Sequence, residues 1–219
     1  MKRHRFFEFS AATGALLLVA GCNSASAEPS LDEVRQIAER YQNVRQAIAD
    51  GYTTDHKCVT AEMLGFPARL GAMGLHYVRR GMLGLPPKPA SGPGRVHGTG
   101  THTDFRKPSM LVYEPQPDGS LKLIAVENLV FAAAWHGTAG HQDAPMFHGR
   151  AWPLLKDDAA TTVDEAHGWE PHYEQHLWVF RKNPNGAYAP FNPSVTCRYN
   201  PSPAAHAARP ASTGQKPTG

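Results

Sequence analysis

Glycine and proline clusters limit this chain to short strands placed after a single long helical segment. The chain of 219 residues contains 20 glycines and 19 prolines, and both residue types interrupt helices and the interiors of sheets. Runs with the β-branched and aromatic content of strands lie between the clusters. They are residues 75–79, 110–114, 121–131 and 175–180. Residues 115–120 predict a hairpin connection between the second and third runs.

One amphipathic helix precedes these strands. Ser30 and Glu33 have the spacing of a capping box, in which each side chain accepts a hydrogen bond from the other residue's backbone. Apolar residues then recur at helical spacing as far as Gly51. They are Leu31, Val34, Ile37, Ala38, Tyr41, Val44, Ala47 and Ile48. The sequence therefore predicts an α+β fold, in which this N-terminal helix packs on a mainly antiparallel sheet that can curl towards a barrel.

The first residues are typical of a bacterial lipoprotein signal peptide, which we assign to residues 1–21. A basic start is followed by an apolar run too short to span a bilayer. Val19-Ala20-Gly21-Cys22 resembles a lipobox, which implies cleavage before Cys22 and attachment of a lipid that anchors the chain to a membrane. Asn23 resembles the default for export to the outer membrane, facing the periplasm. An ordinary secretory signal with a chance cysteine is the alternative.

The remaining chain divides into a tether at 22–30, a single α+β domain at 31–199 and a proline-rich tail at 200–219, which we expect to be disordered. The net charge is +3, and it falls to about +1 without the basic signal segment. No stripe of basic and aromatic residues accompanies this balanced charge, so we expect no nucleic-acid partner. The sequence does not indicate a protein partner.

Cys58 and Cys197 are predicted to form a disulfide. Because Cys22 is assigned to the lipid, these two cysteines remain in a compartment where thiols are normally oxidised. Neither belongs to a CxxC pair, and they flank the domain at positions where a covalent link would stabilise it. The alternative is a pair of free thiols that help to bind a metal ion.

Histidine is the residue type that most suggests chemistry. Eleven of the twelve histidines follow the signal segment, and neutral imidazole is the commonest metal ligand in proteins. In "EPHYEQHLWVF", at 170–180, a helix would bring His172 and His176 together, whereas a strand would separate them by about 13 Å. The aromatic and β-branched content favours a strand. We therefore expect His176, and not His172, to belong to a functional centre, with Glu174 on the same face as His176.

Glu127 interrupts an otherwise apolar face of a predicted strand. The other residues of that face are Leu121, Leu123, Ala125, Leu129 and Phe131. A buried carboxylate is costly unless it is paired or coordinated, and His76 is another polar residue in a run with buried character. We predict that His76, Glu127 and His176 bind one transition-metal ion, namely copper, zinc or iron. Glu174 and His148 are further candidate ligands, and a hydrogen-bonded network without metal is the alternative.

Three sequence blocks resemble a family of bacterial secreted proteins and lipoproteins that has no assigned activity. The blocks are "GAMGLHYV" at 71–78, "QHLWVF" at 175–180 and "NPNGAYAPFNPSVTC" at 183–197. They match the patterns GxMGxHY, HxW and NPxG followed by NPxVxC. The resemblance implies that His76, His176 and Cys197 occupy motif positions of the family, but it does not imply a reaction.

Three classes of function remain open. The first is an envelope lipoprotein that binds metal, either to buffer or handle the ion or as a mononuclear active site. The second is a lipoprotein that binds a small organic ligand or a partner without metal, and the third is a structural envelope protein. The chain contains no GxSxG, P-loop, HExxH or GxGxxG motif in a suitable context. Whether it is an enzyme is therefore open.

Overall fold

The structure is a computed structural model that describes residues 27–86 and 94–200. The predicted signal peptide, the lipidation site Cys22 and the tail from residue 201 onward lie outside the described residues, so those predictions stay predictions. Among the residues that are described, no helix has both the length and the apolar character needed to cross a membrane.

A curled, fully antiparallel sheet of six strands forms the half-barrel body of the fold. In spatial order its strands are β1 (Cys58–Thr60), β2 (Ala72–Val78), β3 (Met110–Pro115), β4 (Leu121–Phe131), β8 (His172–Leu177) and β7 (Leu154–Leu155). A separate two-stranded ribbon consists of β5 (Met146–Phe147) and β6 (Arg150–Ala151). The helices are α1 (Leu31–Ala38), α2 (Val44–Ala49) and α3 (Ala132–His136), with three short 3-10 helices at Glu39–Gln42, Glu62–Leu64 and Ala68–Leu70. The predicted α+β class is confirmed.

The start of α1 is the predicted capping box. The Ser30 side chain accepts a hydrogen bond from the Glu33 backbone N–H at 3.2 Å, and the Glu33 carboxylate accepts one from the Ser30 backbone at 2.7 Å. Two of the free backbone donors at this helix end are thereby satisfied.

The prediction of one continuous helix up to Gly51 was wrong, because the helical segment breaks at Asn43. Asn43 has an extended backbone conformation, and its side chain accepts a hydrogen bond from the Arg45 backbone at 3.1 Å, which caps α2. An asparagine side chain can replace helical hydrogen bonds in this way. The apolar stripe is not buried along its whole length, since Ile37 before the break and Ile48 after it are 39% and 55% exposed.

The helices cover one face of the sheet, which we call the helix-covered face. Val34 and Ala38 of α1 belong to the same buried cluster as Leu75, Leu111 and Val126 of the sheet. The disulfide between Cys58 and Cys197 is confirmed, with its Cα atoms 5.6 Å apart. It joins residues 139 positions apart, and in the chain-entropy model such a loop closure contributes about 5 kcal/mol.

A bulge in β4 changes which residues share a face with Glu127. Val112 pairs with Ala125 and Tyr113 pairs with Leu123, so Ile124 is an extra residue on β4. Leu123 packs in the helix-covered core, whereas Ile124 and Ala125 pack on the opposite side of the sheet. The prediction that Leu121 and Leu123 share a face with Glu127 was therefore wrong. The bulge inverts the alternation of side chains for the residues before Ala125.

The strand predicted at 175–180 is displaced by three residues, because β8 runs from His172 to Leu177. The side chains of His172, Glu174 and His176 therefore alternate along one strand and lie on one face. We call this side of the sheet, opposite the helices, the histidine face.

Candidate metal centre

Three strands bring His76, Glu127 and His176 together on the histidine face. Glu127 of β4 pairs directly with His176 of β8. On the other side, His76 of β2 is opposite Val112 of β3, two residues from Met110, which is the β3 partner of Glu127. His76 and Glu127 are thus diagonal neighbours across one strand. We call these three residues the first triad.

One carboxylate oxygen is the centre of the first triad. Glu127 Oε2 lies 3.1 Å from His76 Nε2 and 3.3 Å from His176 Nε2. The side chains of Glu127 and His176 are each 1% exposed, and that of His76 is 14% exposed. The candidate ligand atoms lie within 4.8 Å of one another, so the group could hold a metal ion.

Two buried side-chain atoms of this triad have no hydrogen-bond partner. Glu127 Oε2 and His176 Nε2 are both buried and unpartnered. A buried polar atom without a partner costs about 1–3 kcal/mol, and more when it is charged. A cation bound between these atoms would remove that cost.

One of the two distances matches the separation of ligands around a small metal ion. Ligand atoms at about 2.0–2.1 Å from a tetrahedral zinc ion are about 3.3–3.4 Å from one another. Hydrogen bonds between a protonated nitrogen and a carboxylate are shorter, at about 2.7–2.9 Å. The 3.3 Å contact of His176 has the metal-ligand separation, and the 3.1 Å contact of His76 lies between the two ranges.

A second triad, formed by His167, His172 and Glu174, lies on the same face and could also hold a metal ion. His172 Nε2 is 3.4 Å from Glu174 Oε2, and the two side chains are 0% and 2% exposed. His167 was not among the residues predicted for a site, and His172 was predicted to lie outside the functional centre. His172 and His176 do belong to different triads, as their spacing along a strand predicts, but His172 has its own cluster.

Glu174 links the two triads. Its Oε2 atom faces His172, and its Oε1 atom is 3.8 Å from Nδ1 of His176. A carboxylate behind a histidine is the arrangement that commonly orients a metal-binding imidazole. Glu174, predicted as a further ligand of the first site, is therefore a member of the second triad that also faces the back of His176.

The electrostatics of the cluster keep the Glu174 carboxylate ionised. Burial alone would raise the pKa of Glu174, but the neighbouring imidazoles, His172 first, bring it below its usual range. Burial lowers the pKa of His76, but the Glu127 carboxylate more than offsets this and raises it overall. The pKa of His172 is raised in the same way by Glu174 against the effect of burial. Burial lowers the pKa of His167.

A cavity of about 180 Å³ borders both triads, because His76 and His167 line it. Met110 and Leu129 form part of its apolar wall, and Lys57 and Arg80 outweigh the negative charge of Asp55 in the lining. The volume is smaller than the roughly 300–1,000 Å³ of pockets for drug-sized ligands. Water or a small molecule could therefore reach one histidine of each triad.

His148, predicted as a further ligand, belongs to neither triad. Its Nδ1 atom is 2.9 Å from the Tyr188 hydroxyl, and its Nε2 atom is 2.9 Å from the carbonyl oxygen of Pro29. The loop residue His102 is similar, since its Nε2 atom lies 3.0 Å from the Asp104 carbonyl and 2.7 Å from that of Lys107. These two histidines connect loops and chain segments.

Comparison of the chain with protein-family models, with curated proteins and with solved structures finds no match. The resemblance of the three sequence blocks to a family of secreted proteins and lipoproteins therefore stays a prediction. A function for this chain must therefore be inferred from the chemistry of the histidine face.

Proposed function

We propose that the protein is a lipid-anchored protein of the bacterial cell envelope that binds a transition-metal ion through His76, Glu127 and His176. The observation that carries this proposal is the pair of buried, unpartnered atoms, Glu127 Oε2 and His176 Nε2, which lie 3.3 Å apart. Each would gain a partner if an ion lay between them.

The ligand set indicates the class of ion. Two imidazole nitrogens and one carboxylate oxygen suit zinc, copper or iron, whereas calcium and magnesium prefer sites made of oxygen atoms. Three protein ligands leave at least one coordination position open, as in catalytic zinc sites. The cavity beside His76 would give a small molecule access to that position. This supports a site that exchanges ligands, either to handle the ion or as a mononuclear active site.

The test is elemental analysis of the mature protein, purified without an affinity tag, stripped of metal and dialysed against Zn²⁺, Cu²⁺ or Fe²⁺. We expect the wild type to retain at least one ion of one of these metals per chain, and His176→Ala to retain one fewer. His102→Ala is the matched control, because His102 is a loop histidine with two carbonyl contacts. Less than about one tenth of an ion per wild-type chain with all three metals would contradict the proposal.

A small-ligand function without metal is the second candidate, and the cavity supports it. Its apolar wall with Lys57 and Arg80 would suit a small organic anion, whose charge these cations would attract. In that case the metal-stripped protein would bind such an anion while taking up none of the three metals. If the protein bound neither a metal ion nor a small anion, the third class, a structural envelope protein, would remain.

The lipid anchor is tested separately. Cys22→Ala should release the protein from membranes or leave its signal segment uncleaved, since it removes the sulfur to which the lipid would be attached. Fractionation of cells into membrane and soluble parts measures this, with Cys58→Ser as a cysteine control that retains Cys22. Tight membrane association of a cleaved Cys22→Ala protein would contradict anchoring at this residue and would leave the metal proposal standing.

A further inference from the structure

We infer that His167, His172 and Glu174 bind a second transition-metal ion, so that the histidine face carries two adjacent metal sites. The inference rests on the proposed function in that both sites would take the same class of ion, but the second site has its own three ligands. From the sequence, a single ion is predicted, at the first triad.

The protonation of His172 is set by the backbone. Its Nδ1 atom lies 2.9 Å from the carbonyl oxygen of Glu170. A carbonyl oxygen can only accept a hydrogen bond, so Nδ1 carries the hydrogen. In the neutral imidazole, Nε2 is then the nitrogen with a free lone pair, and this is the usual arrangement for a metal-binding histidine.

The lone pair of His172 points at a second acceptor. His172 Nε2 is buried and has no hydrogen-bond partner, and it lies 3.4 Å from Glu174 Oε2. With a neutral imidazole these are two acceptors, and at this distance they repel each other unless a proton or a metal cation lies between them. The separation is longer than the approximately 2.7–2.9 Å of a charge-assisted hydrogen bond, and it matches the approximately 3.3–3.4 Å between two ligands of a tetrahedral ion.

His167 is the third ligand, and a constrained loop positions it. Its backbone is left-handed, with φ of 43°. This conformation is energetically unfavourable for residues other than glycine, and it is often found at functional sites. Asp164 holds the loop, because it accepts hydrogen bonds from the backbones of His167 at 3.0 Å and Gly168 at 2.9 Å. The rings of His167 and His172 have centroids 5.3 Å apart. A proton could lie between only two of the three side chains, whereas a metal ion could bind His167, His172 and Glu174 together.

Access to the second site is the same as access to the first. His167 and His76 line one cavity of about 180 Å³, so an ion or a small ligand could reach both triads from that cavity. Glu174 contacts both triads, so its replacement would disturb both sites. His167 is the better residue to change, since its side chain belongs to the second triad alone.

The test is the number of Zn²⁺ ions retained by the full-length mature protein after metal stripping and equilibrium dialysis. We expect two ions per wild-type chain and one in His167→Asn, because asparagine tolerates left-handed backbone but lacks the imidazole ligand. His148→Asn is the matched control, since His148 is also left-handed, with φ of 50°, and lies in neither triad. This control should retain two ions.

The outcomes separate this inference from the proposed function. One ion in the wild type that persists in His167→Asn and is lost in His176→Ala would overturn the second site and leave the first. One ion that is lost in His167→Asn and kept in His176→Ala would support the second site and overturn the first. No ion would overturn both. Circular dichroism checks that each variant is folded. His172→Gln is a second variant of the second triad. If both His167→Asn and His172→Gln retain two ions, the inference is overturned.

Discussion

The two faces of the sheet are both buried, but the unpartnered polar atoms are concentrated on one of them, and among the described residues the core under the helices has one, Trp152 Nε1. On the helix-covered face, the Tyr113 hydroxyl donates to the Tyr41 carbonyl at 2.6 Å, and the Tyr52 hydroxyl donates to Pro108 at 2.6 Å. The histidine face instead has four buried side-chain atoms without a hydrogen-bond partner. They are Glu127 Oε2, His172 Nε2, Glu174 Oε1 and His176 Nε2.

This difference indicates that the two faces have different roles. An apolar face with satisfied hydroxyls stabilises the fold through burial. A buried cluster of charged and polar groups contributes little or costs free energy unless each group is paired, and apolar residues of similar volume are often as stable. The histidine face is therefore better explained by binding than by stability. Variants on the two faces should have distinct effects.

The largest effect is expected for Leu111→Ala on the helix-covered face. Leu111 is 0% exposed and belongs to the core under the helices, so its truncation should lower the free energy of unfolding by about 2–5 kcal/mol. The loss should be equal in metal-free and Zn²⁺-loaded protein, as measured by urea unfolding. Ile48→Ala is the control, since Ile48 is 55% exposed and should cost less than about 0.5 kcal/mol.

If Leu111→Ala also removed the stabilisation by Zn²⁺, the two faces would be coupled through the sheet and would not be separable in function.

An intermediate effect is expected for Glu127→Gln on the histidine face. Zn²⁺ at 100 times the dissociation constant of the first triad should stabilise the wild type by about 2.7 kcal/mol through that site, and Glu127→Gln should lose this part of the Zn²⁺ gain because its amide is a poor metal ligand. Thermal unfolding with and without Zn²⁺ measures the difference. Glu114→Gln is the matched control, since Glu114 is a buried carboxylate paired with Arg181 and bonded to the Thr196 backbone at 3.1 Å.

Glu114→Gln should be less stable than the wild type but should keep its Zn²⁺ gain. A full Zn²⁺ gain in Glu127→Gln would show that the first triad is not the site.

The sequence predicted those features that depend on residue type and on short-range spacing. The capping box at Ser30 follows from two side chains three residues apart. The Cys58 to Cys197 disulfide was predicted from the expected oxidising compartment and the small number of cysteines. The convergence of His76, Glu127 and His176 followed from the cost of burying polar groups in strands that are otherwise apolar, since these groups must find one another.

Other features depend on tertiary structure and could not be predicted from the pattern. The extra residue Ile124 is apolar like its neighbours, so its composition does not reveal the bulge. His167 reaches the second triad from a loop, and no periodicity places a loop residue against a strand. His172 was a different case: its alternation with Glu174 and His176 was visible, but the strand was predicted to start three residues too late.

The smallest expected effect is a pH dependence that differs between the faces. The charge of Glu127 raises the pKa of His76 in the folded, metal-free protein, against the effect of burial. A histidine with a raised folded pKa stabilises the fold fully below its unfolded pKa of about 6.5, and this contribution is lost as the pH rises through the folded value. The advantage of wild type over Glu127→Gln in metal-free protein should therefore be complete below pH about 6.5 and should decline above it.

Zn²⁺ reverses this trend, because the ion competes with the same protons and binds more tightly as they leave. The Zn²⁺ gain of the wild type should thus increase over the pH range in which its metal-free advantage declines. Urea unfolding at a series of pH values with and without Zn²⁺ measures both slopes. Leu111→Ala should show the same two slopes as the wild type at lower overall stability. If the stability difference between metal-free wild type and Glu127→Gln stayed constant between pH about 6 and 9, the charge of Glu127 would not affect the protonation of His76. The pair would then not contribute to the pH dependence of stability in the absence of metal.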